Sequence, residues 1–352
     1  MKEYSREIRI FIHAPNVHQG GGAALLIELL RAASRLDTVS ITIDARMVLP
    51  NDLSLMNVTR VSPTLFSRLQ AEWRLAKAVQ LNDIVLCFGN LPPFFKLGGK
   101  ATVFLQNRYL VDWSPSFTDL PLKVKARLLV ERFWLYWRRK NAESYFVQTP
   151  SMERLTKARL GVRVRSFAFV PEVFSPISTL TEERKKVEYD FLYVASGEPH
   201  KNHKVLVEAW RNLAEEGIFP SLALTLSLHD APQLLNEINQ ISTVEGLRVH
   251  NLGIISREKL LVLYGQVGAI IYPSEFESFG LPLLEATAAG LPILAAELDY
   301  VRDVIDPVES FNPKSPISIA RAVKRYMGLK ERVAPIKTAK EFLQHCIDEE
   351  KN

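Results

Sequence analysis

Two glutamates eight residues apart, Glu277 and Glu285, bracket the turn Ser278-Phe279-Gly280-Leu281-Pro282. A carboxylate pair around a helix start can accept hydrogen bonds from hydroxyl groups and can frame an anion balanced by the helix N-terminus. Pro282 suits a first helical position, because its missing N–H would be unpaired there anyway. The backbone amides around Phe279, Gly280 and Leu281 then face whatever binds. Taken alone, Glu285 could equally be a carboxylate that only complements the helix terminus.

The neighbouring sequence fixes where this turn sits. Ala269-Ile270-Ile271-Tyr272 is a short apolar run of the buried-strand kind, broken by Pro273 and Ser274. Leu283 to Ala289 is helical, Gly290 closes that helix, and Pro292 to Ala296 is the next strand. Strand, loop, helix and strand make a parallel crossover, so the loop lies at the carboxyl ends of the strands, where open α/β sheets bind ligands.

The whole stretch PSEFESFGLPLLEATAAGLP closely resembles the donor-site motif of the retaining GT-B glycosyltransferases of family 4. The resemblance implies an α/β chain of two Rossmann-like domains facing across a cleft. It implies that Glu285 holds the ribose hydroxyls of a sugar nucleotide and that Glu277 lies against the donor hexose. The amides from Ser278 through Phe279, Gly280 and Leu281 would meet hexose and phosphate. The sequence has no Asp-x-Asp and no His/Cys ligand spacing, so no metal is expected, and no cofactor beyond the UDP- or GDP-sugar itself.

Further site residues follow along the chain. Arg9 to His13 is a first strand, and Gly20-Gly21-Gly22 opens a helix over Ala23 to Ser34. Glycines at such a turn let backbone approach a phosphate, although the spacing is not G-x-G-x-x-G and a triple glycine can be merely flexible. The resemblance implies that Gly21 and Gly22 face the donor phosphates and the acceptor. The strand Ala101–Leu105 runs into Gln106 and Asn107, which stand where the family commonly has a histidine facing the reacting sugar. An amide can still donate to and accept from sugar hydroxyls. In the second half, Lys201 precedes a helix start, where a diphosphate calls for a cation. It matches the family's diphosphate lysine, whereas Ser196 and Gly197 occupy the region of the partner arginine. The Gly253-Ile254-Ile255 loop resembles the one that contacts the nucleotide base.

At 352 residues, 47% hydrophobic and 24% charged, the chain has room for two packed domains. The expected units are an acceptor-side domain over 1–170, a nucleotide-sugar domain over 171–335, and a last helix over 336–352 crossing back to the first. Residues 1–170 carry 25 Lys/Arg against 13 Asp/Glu, a net of +12, and residues 171–352 carry 19 against 26, a net of −7. No nucleic-acid motif accompanies that basic half, so an anionic membrane or a polyprenyl-pyrophosphate-linked glycan acceptor is the expected partner. Leu122 to Lys140 reads as an amphipathic helix with Ala126, Val130, Phe133 and Trp137 on one apolar face and Lys125, Arg132 and Arg139 on a basic line. Either the apolar face is core and the basic line solvated, or the helix lies on a bilayer. Cys87 and Cys346 form no disulfide framework, no signal peptide is evident at the N-terminus, and no run of 18 apolar residues spans a membrane. The expectation is a cytoplasmic enzyme, peripheral on the inner membrane face. A GT-B sugar-nucleotide epimerase and a non-catalytic glycan- or nucleotide-binding subunit remain open as other readings.

Overall fold

Alternating apolar runs and amphipathic segments produce two parallel sheets in the computed structural model, which describes residues 8–36, 38–53, 57–113, 120–169 and 187–329. The first sheet contains β1 (Ile10–Ala14), β2 (Val39–Asp44), β3 (Val58–Val61), β4 (Ile84–Cys87), β5 (Lys100–Phe104), β6 (Ser144–Val147) and β7 (Val164–Ser166). Their order is β3-β2-β1-β4-β5-β6-β7. The second contains β8 (Tyr189–Tyr193), β9 (Leu222–Leu224), β10 (Val249–Asn251), β11 (Val267–Tyr272), β12 (Ile293–Ala296) and β13 (Glu309–Phe311), in order β10-β9-β8-β11-β12-β13. Chain order reverses between β1 and β4 and between β8 and β11, both parallel pairs. The loops after these central strands therefore open into a crevice in each half.

Helices cover the sheets as parallel strands require. In the first half, α1 (Gly20–Ala33) buries Leu25, Leu26 and Leu30 against one sheet face. On the other face lie α2 (Leu65–Ala78), α3 (Leu122–Arg138) and α4 (Pro150–Leu160), which bury Leu75, Leu128, Leu135 and Met152. The second half closes around a single core that includes Trp210 of α5 (His203–Glu215), Tyr193 and Tyr272. Its remaining helices are α6 (Pro232–Glu245), α7 (Arg257–Tyr264), α8 (Leu281–Ala288), α9 (Asp299–Arg302) and α10 (Pro316–Tyr326). The expected boundary between residues 170 and 171 and the expected last helix lie outside the described residues.

Three details differ from the sequence expectations. Helix α1 starts at Gly20 rather than Ala23, so the glycines form its first turn instead of preceding it. The edge strands β3, β7 and β13, three or four residues each, are too short to leave an alternating pattern. The third concerns α3. Its buried residues are Leu128 and Leu135, while Val130, Phe133 and Trp137 are 58%, 65% and 57% exposed. Of the expected basic line, Arg132 is turned inward, donating to the carbonyls of Tyr109 (2.6 Å) and Asp112 (3.0 Å), while Arg139 stays at the surface and donates to Tyr136 O (2.6 Å) in its own helix end. Long basic side chains reach backbone carbonyls with their heads while their stems cover apolar surface, which leaves the large apolar residues outside.

Candidate active site between two helix N-termini

The turn after β11 is built as its residues dictate. Gly280 takes φ +75° as the N-cap of α8, Pro282 lies in the first turn, and Gly290 at φ +67° follows the helix. Phe279 is buried, so only its backbone is offered to a ligand. Glu277 bonds Lys201 Nζ through Oε1, which also accepts from Ser274 Oγ (2.8 Å) and Tyr272 OH (3.1 Å). Burial pushes the Glu277 carboxyl up, but the charge and hydrogen bond of Lys201, with His200 and Ser274, hold it below the ordinary carboxylate range. Lys201 is itself pinned. Its carbonyl accepts from Tyr193 OH (2.6 Å), and the next residue, Asn202, sits at φ +63° and donates to Pro273 O (3.2 Å) and Pro313 O (2.6 Å). The lysine turn is thereby tied to the strand end that launches the Glu277 loop.

Glu285 lies one turn into α8 and accepts from Tyr264 OH (2.9 Å), with Arg257 Nη2 at 4.0 Å. Burial raises its pKa, with Tyr264 and Arg257 opposing. Both neighbours come from α7, which follows the Gly253–Ile255 loop and is capped by Ser256. Gly253 has φ +71°, and Ile254 is 79% exposed. The loop expected to read a base and the carboxylate expected to hold a ribose are therefore joined through one helix.

The first half meets this site directly. A Cβ added to Gly21 would lie 3.0 Å from Leu281 Cδ1, so the first turns of α1 and α8 touch across the cleft. Each helix start carries unpaired amides and the positive end of its dipole. A Cβ on Gly22 would come 3.4 Å from Gln106 Oε1, and the Gln106 Nε2 is buried without a hydrogen-bond partner. Asn107 differs: its side-chain oxygen caps a short turn by accepting from Tyr109 N (3.1 Å). Of the two amides, Gln106 is the one placed beside the glycine turn with a free donor. Backbone amides of both residues donate to Asn90 Oδ1 (2.6 and 2.9 Å), which fixes their position.

Arg108, absent from the sequence expectations, crosses the cleft. It forms a bidentate pair with Asp299 (3.0 Å each), bonds Asp112 (2.9 Å), donates to the Glu277 carbonyl (3.3 Å) and lies over the Phe276 ring. Tyr109 follows it onto Phe276 (4.4 Å between centroids), and its hydroxyl is pushed up to about 12, first by burial and then by Glu277. Their only sequence signal is adjacency to Gln106 and Asn107. Gly197, for its part, has a packing reason to be glycine: a Cβ there would collide with the Cβ of Ala231. Gly197→Ala is expected to cost about 1–3 kcal/mol of stability, read as a lowered thermal midpoint, because backbone must shift to relieve the overlap. An unchanged midpoint would show that the loop relaxes freely. A cavity of about 910 Å³ lies elsewhere, under α1 and lined by Phe88, Phe104 and Phe146, and contains none of these site residues.

Residues 180–342 match the family model for glycosyl transferases group 1. A 116-residue segment is 32% identical to the O-antigen chain mannosyltransferase B of Escherichia coli, covering 32% of this chain and 30% of that protein. A 156-residue segment is 28% identical to the serotype-specific mannosyltransferase WbdA of Escherichia coli, covering 41% of this chain and 18% of that protein. The matches thus span less than a third of these relatives' own lengths. The fold is similar to that of Anabaena HepE, solved with UDP and glucose: TM-score 0.64 and 15% identity over 91% of this chain and 90% of that one. The two facing parallel-sheet domains are a GT-B fold, and the second half of the chain is similar to the glycosyl transferases group 1 family.

Proposed function

We propose that the protein transfers a hexose or N-acetylhexosamine from a sugar nucleotide to a glycan or lipid-linked glycan acceptor, with retention of configuration. One observation carries this reading: Lys201, Glu277 and Glu285 surround the start of α8 where Gly21 of the first half touches Leu281. Mannose is the sugar specified in the names of the two relatives above. The donor diphosphate would sit against the amides of Ser278–Leu281 and the first turn of α1, with Lys201 as its cation. The bond between the anomeric carbon and the diphosphate breaks with its electron pair going to the diphosphate. The acceptor oxygen bonds on the same face and its proton passes to the departing diphosphate. Positioning and charge stabilisation do the catalysis, with no protein nucleophile. Lys201, the α8 amides and the α1 terminus together supply the positive charge that the family draws partly from an arginine. A panel of UDP- and GDP-sugars should show slow donor hydrolysis with at least one member. Nucleotide binding without any turnover, acceptor included, would favour the non-catalytic reading.

Because helix termini and Lys201 balance the leaving group, transfer is expected to persist in EDTA. Activity abolished by EDTA and restored by Mg²⁺ or Mn²⁺ would refute that charge balance.

The acceptor is proposed to be membrane-borne. The outward faces of α2 and α3 expose Phe66 (77%), Trp73 (48%), Phe133 (65%) and Trp137 (57%), and exposed Arg127, Lys123 and Lys77 share these faces. Aromatic and basic residues combined on one face suit a bilayer interface. No helix among the described residues is long and apolar enough to cross a membrane. Sedimentation with anionic liposomes at low salt should be strong for the wild type. It should fall about 10-fold or more for the pair Phe133→Ser and Trp137→Ser, since each buried aromatic contributes at least about 1 kcal/mol. Equal sedimentation of both proteins would refute this face.

A further inference from the structure

The first half holds a cluster of cations that the donor site does not use. Asp44, fully buried at the end of β2, accepts from the Arg46 backbone amide (2.9 Å), Nε (2.9 Å) and Nη2 (2.7 Å). Nη2 of Arg68, on α2, lies 3.7 Å from the same carboxylate. One carboxylate therefore serves two guanidiniums. Arg127 of α3 approaches Glu131 at 3.8 Å, and burial, the larger effect, raises that carboxyl despite Arg127 and Arg68. Glu72, one turn after Arg68, is already engaged by His13 Nε2 (3.0 Å) and the Phe94 amide (2.9 Å). Among the described residues, Arg46, Arg68 and Arg127 thus face only Asp44 and Glu131, which leaves a surplus of positive charge. The Nε of Arg68 and the Nδ1 of His18 are buried without hydrogen-bond partners. Burial and then Arg46 hold the His18 imidazole below its ordinary value, as an under-compensated cationic site would.

Position gives the cluster a meaning. Asp44 ends β2, Arg46 follows it, and His18 follows β1, so all lie at the carboxyl edge of the first sheet. His18 runs directly into Gly20, Gly21 and Gly22, and Gly21 touches the α8 turn. On the other side, Leu65, Phe66 and Leu69, within one turn of Arg68, are 75%, 77% and 42% exposed. An anion held here would have the cleft on one side and an apolar surface on the other. Guanidinium forks match phosphate oxygens in geometry as well as charge. An inorganic anion has no use for the adjoining leucines and phenylalanine, whereas a prenyl chain does.

We propose that Arg46, Arg68 and His18 bind the phosphate or pyrophosphate of an acceptor carried on a prenyl chain, which rests on the transfer reading above for the role of acceptor. The test is calorimetry on the full chain with farnesyl pyrophosphate and with inorganic pyrophosphate, each with and without excess UDP or GDP. Farnesyl pyrophosphate should bind under saturating nucleotide, about 10-fold or more tighter than inorganic pyrophosphate, and about 10-fold or more weaker in Arg46→Gln and in Arg68→Gln. The nucleotide affinity of both variants should stay within about 2-fold of wild type. Arg46 is exposed, so its variant remains informative if Arg68→Gln fails to fold. Displacement of farnesyl pyrophosphate by nucleotide, or unchanged affinity in Arg46→Gln, would overturn the site. Equal affinity for the two pyrophosphates would overturn the prenyl assignment. Failure of the wild type to bind any nucleotide would instead sink the donor-site reading and leave the arginine comparison readable.

Discussion

Glu277→Gln is expected to lower kcat by about 10²- to 10³-fold while the Kd for the nucleoside diphosphate rises less than about 3-fold. The substitution keeps shape and removes charge at a buried group whose Oε1 meets Lys201, Ser274 and Tyr272. In the proposed reaction Glu277 faces the hexose, whose charge and shape change, so its contribution appears mainly in the transition state. Lys201 keeps its positive charge in the variant and remains available to the diphosphate. The pH dependence follows with a definite sign. The Glu277 carboxyl is held below the ordinary range, so the ion pair's stabilisation is present above an unfolded pKa of about 4.3 and is lost as pH falls through the folded value. Steady-state rates beside calorimetry make the comparison. A loss of nucleotide affinity in Glu277→Gln matching that in Glu285→Ala would mean the donor site is assigned wrongly.

Glu285→Ala should behave in the opposite way, weakening nucleoside diphosphate binding about 10- to 150-fold. Hydrogen bonds to a charged group contribute about 1.5–3 kcal/mol, and ribose hydroxyls are bound alike in ground and transition states. The Tyr264 hydroxyl holds Oε2 at 2.9 Å, which orients the carboxylate before any ligand arrives. Tyr264→Phe should therefore lose part of the affinity, because the carboxylate is kept but its orientation is not. Calorimetry with the nucleoside diphosphate reads both variants. Binding by Glu285→Ala at wild-type strength would leave no role for this residue in the donor site.

The turn between β11 and α8 was legible in the sequence because everything that shapes it is local. An apolar run, a proline break, a glycine N-cap, a proline in the first turn and a closing glycine define β11, the loop and α8 without distant partners. Lys201 was legible for the same reason, standing just before a helix start. Its union with Glu277, 76 residues on, needs the parallel pairing of β8 with β11, which the tertiary structure supplies.

What the sequence could not decide depends on contacts between segments far apart. Arg108 reaches Asp299, 191 residues away, and only the docking of two domains makes that pair. Gln106 and Asn107 are chemically alike and adjacent, and they separate only because Asn107 caps the following turn while Gln106 lies beside Gly22. Helix α3 is the clearest case. It carries large apolar residues at helical spacing on two faces, Leu128 with Leu135 and Val130 with Phe133 and Trp137, so periodicity is satisfied either way. The core beneath it accepted the leucines, and Arg132 turned inward to the carbonyls of Tyr109 and Asp112. Periodicity names the faces of a helix, but which face is buried is settled by the shape and polar groups of the surface it lands on.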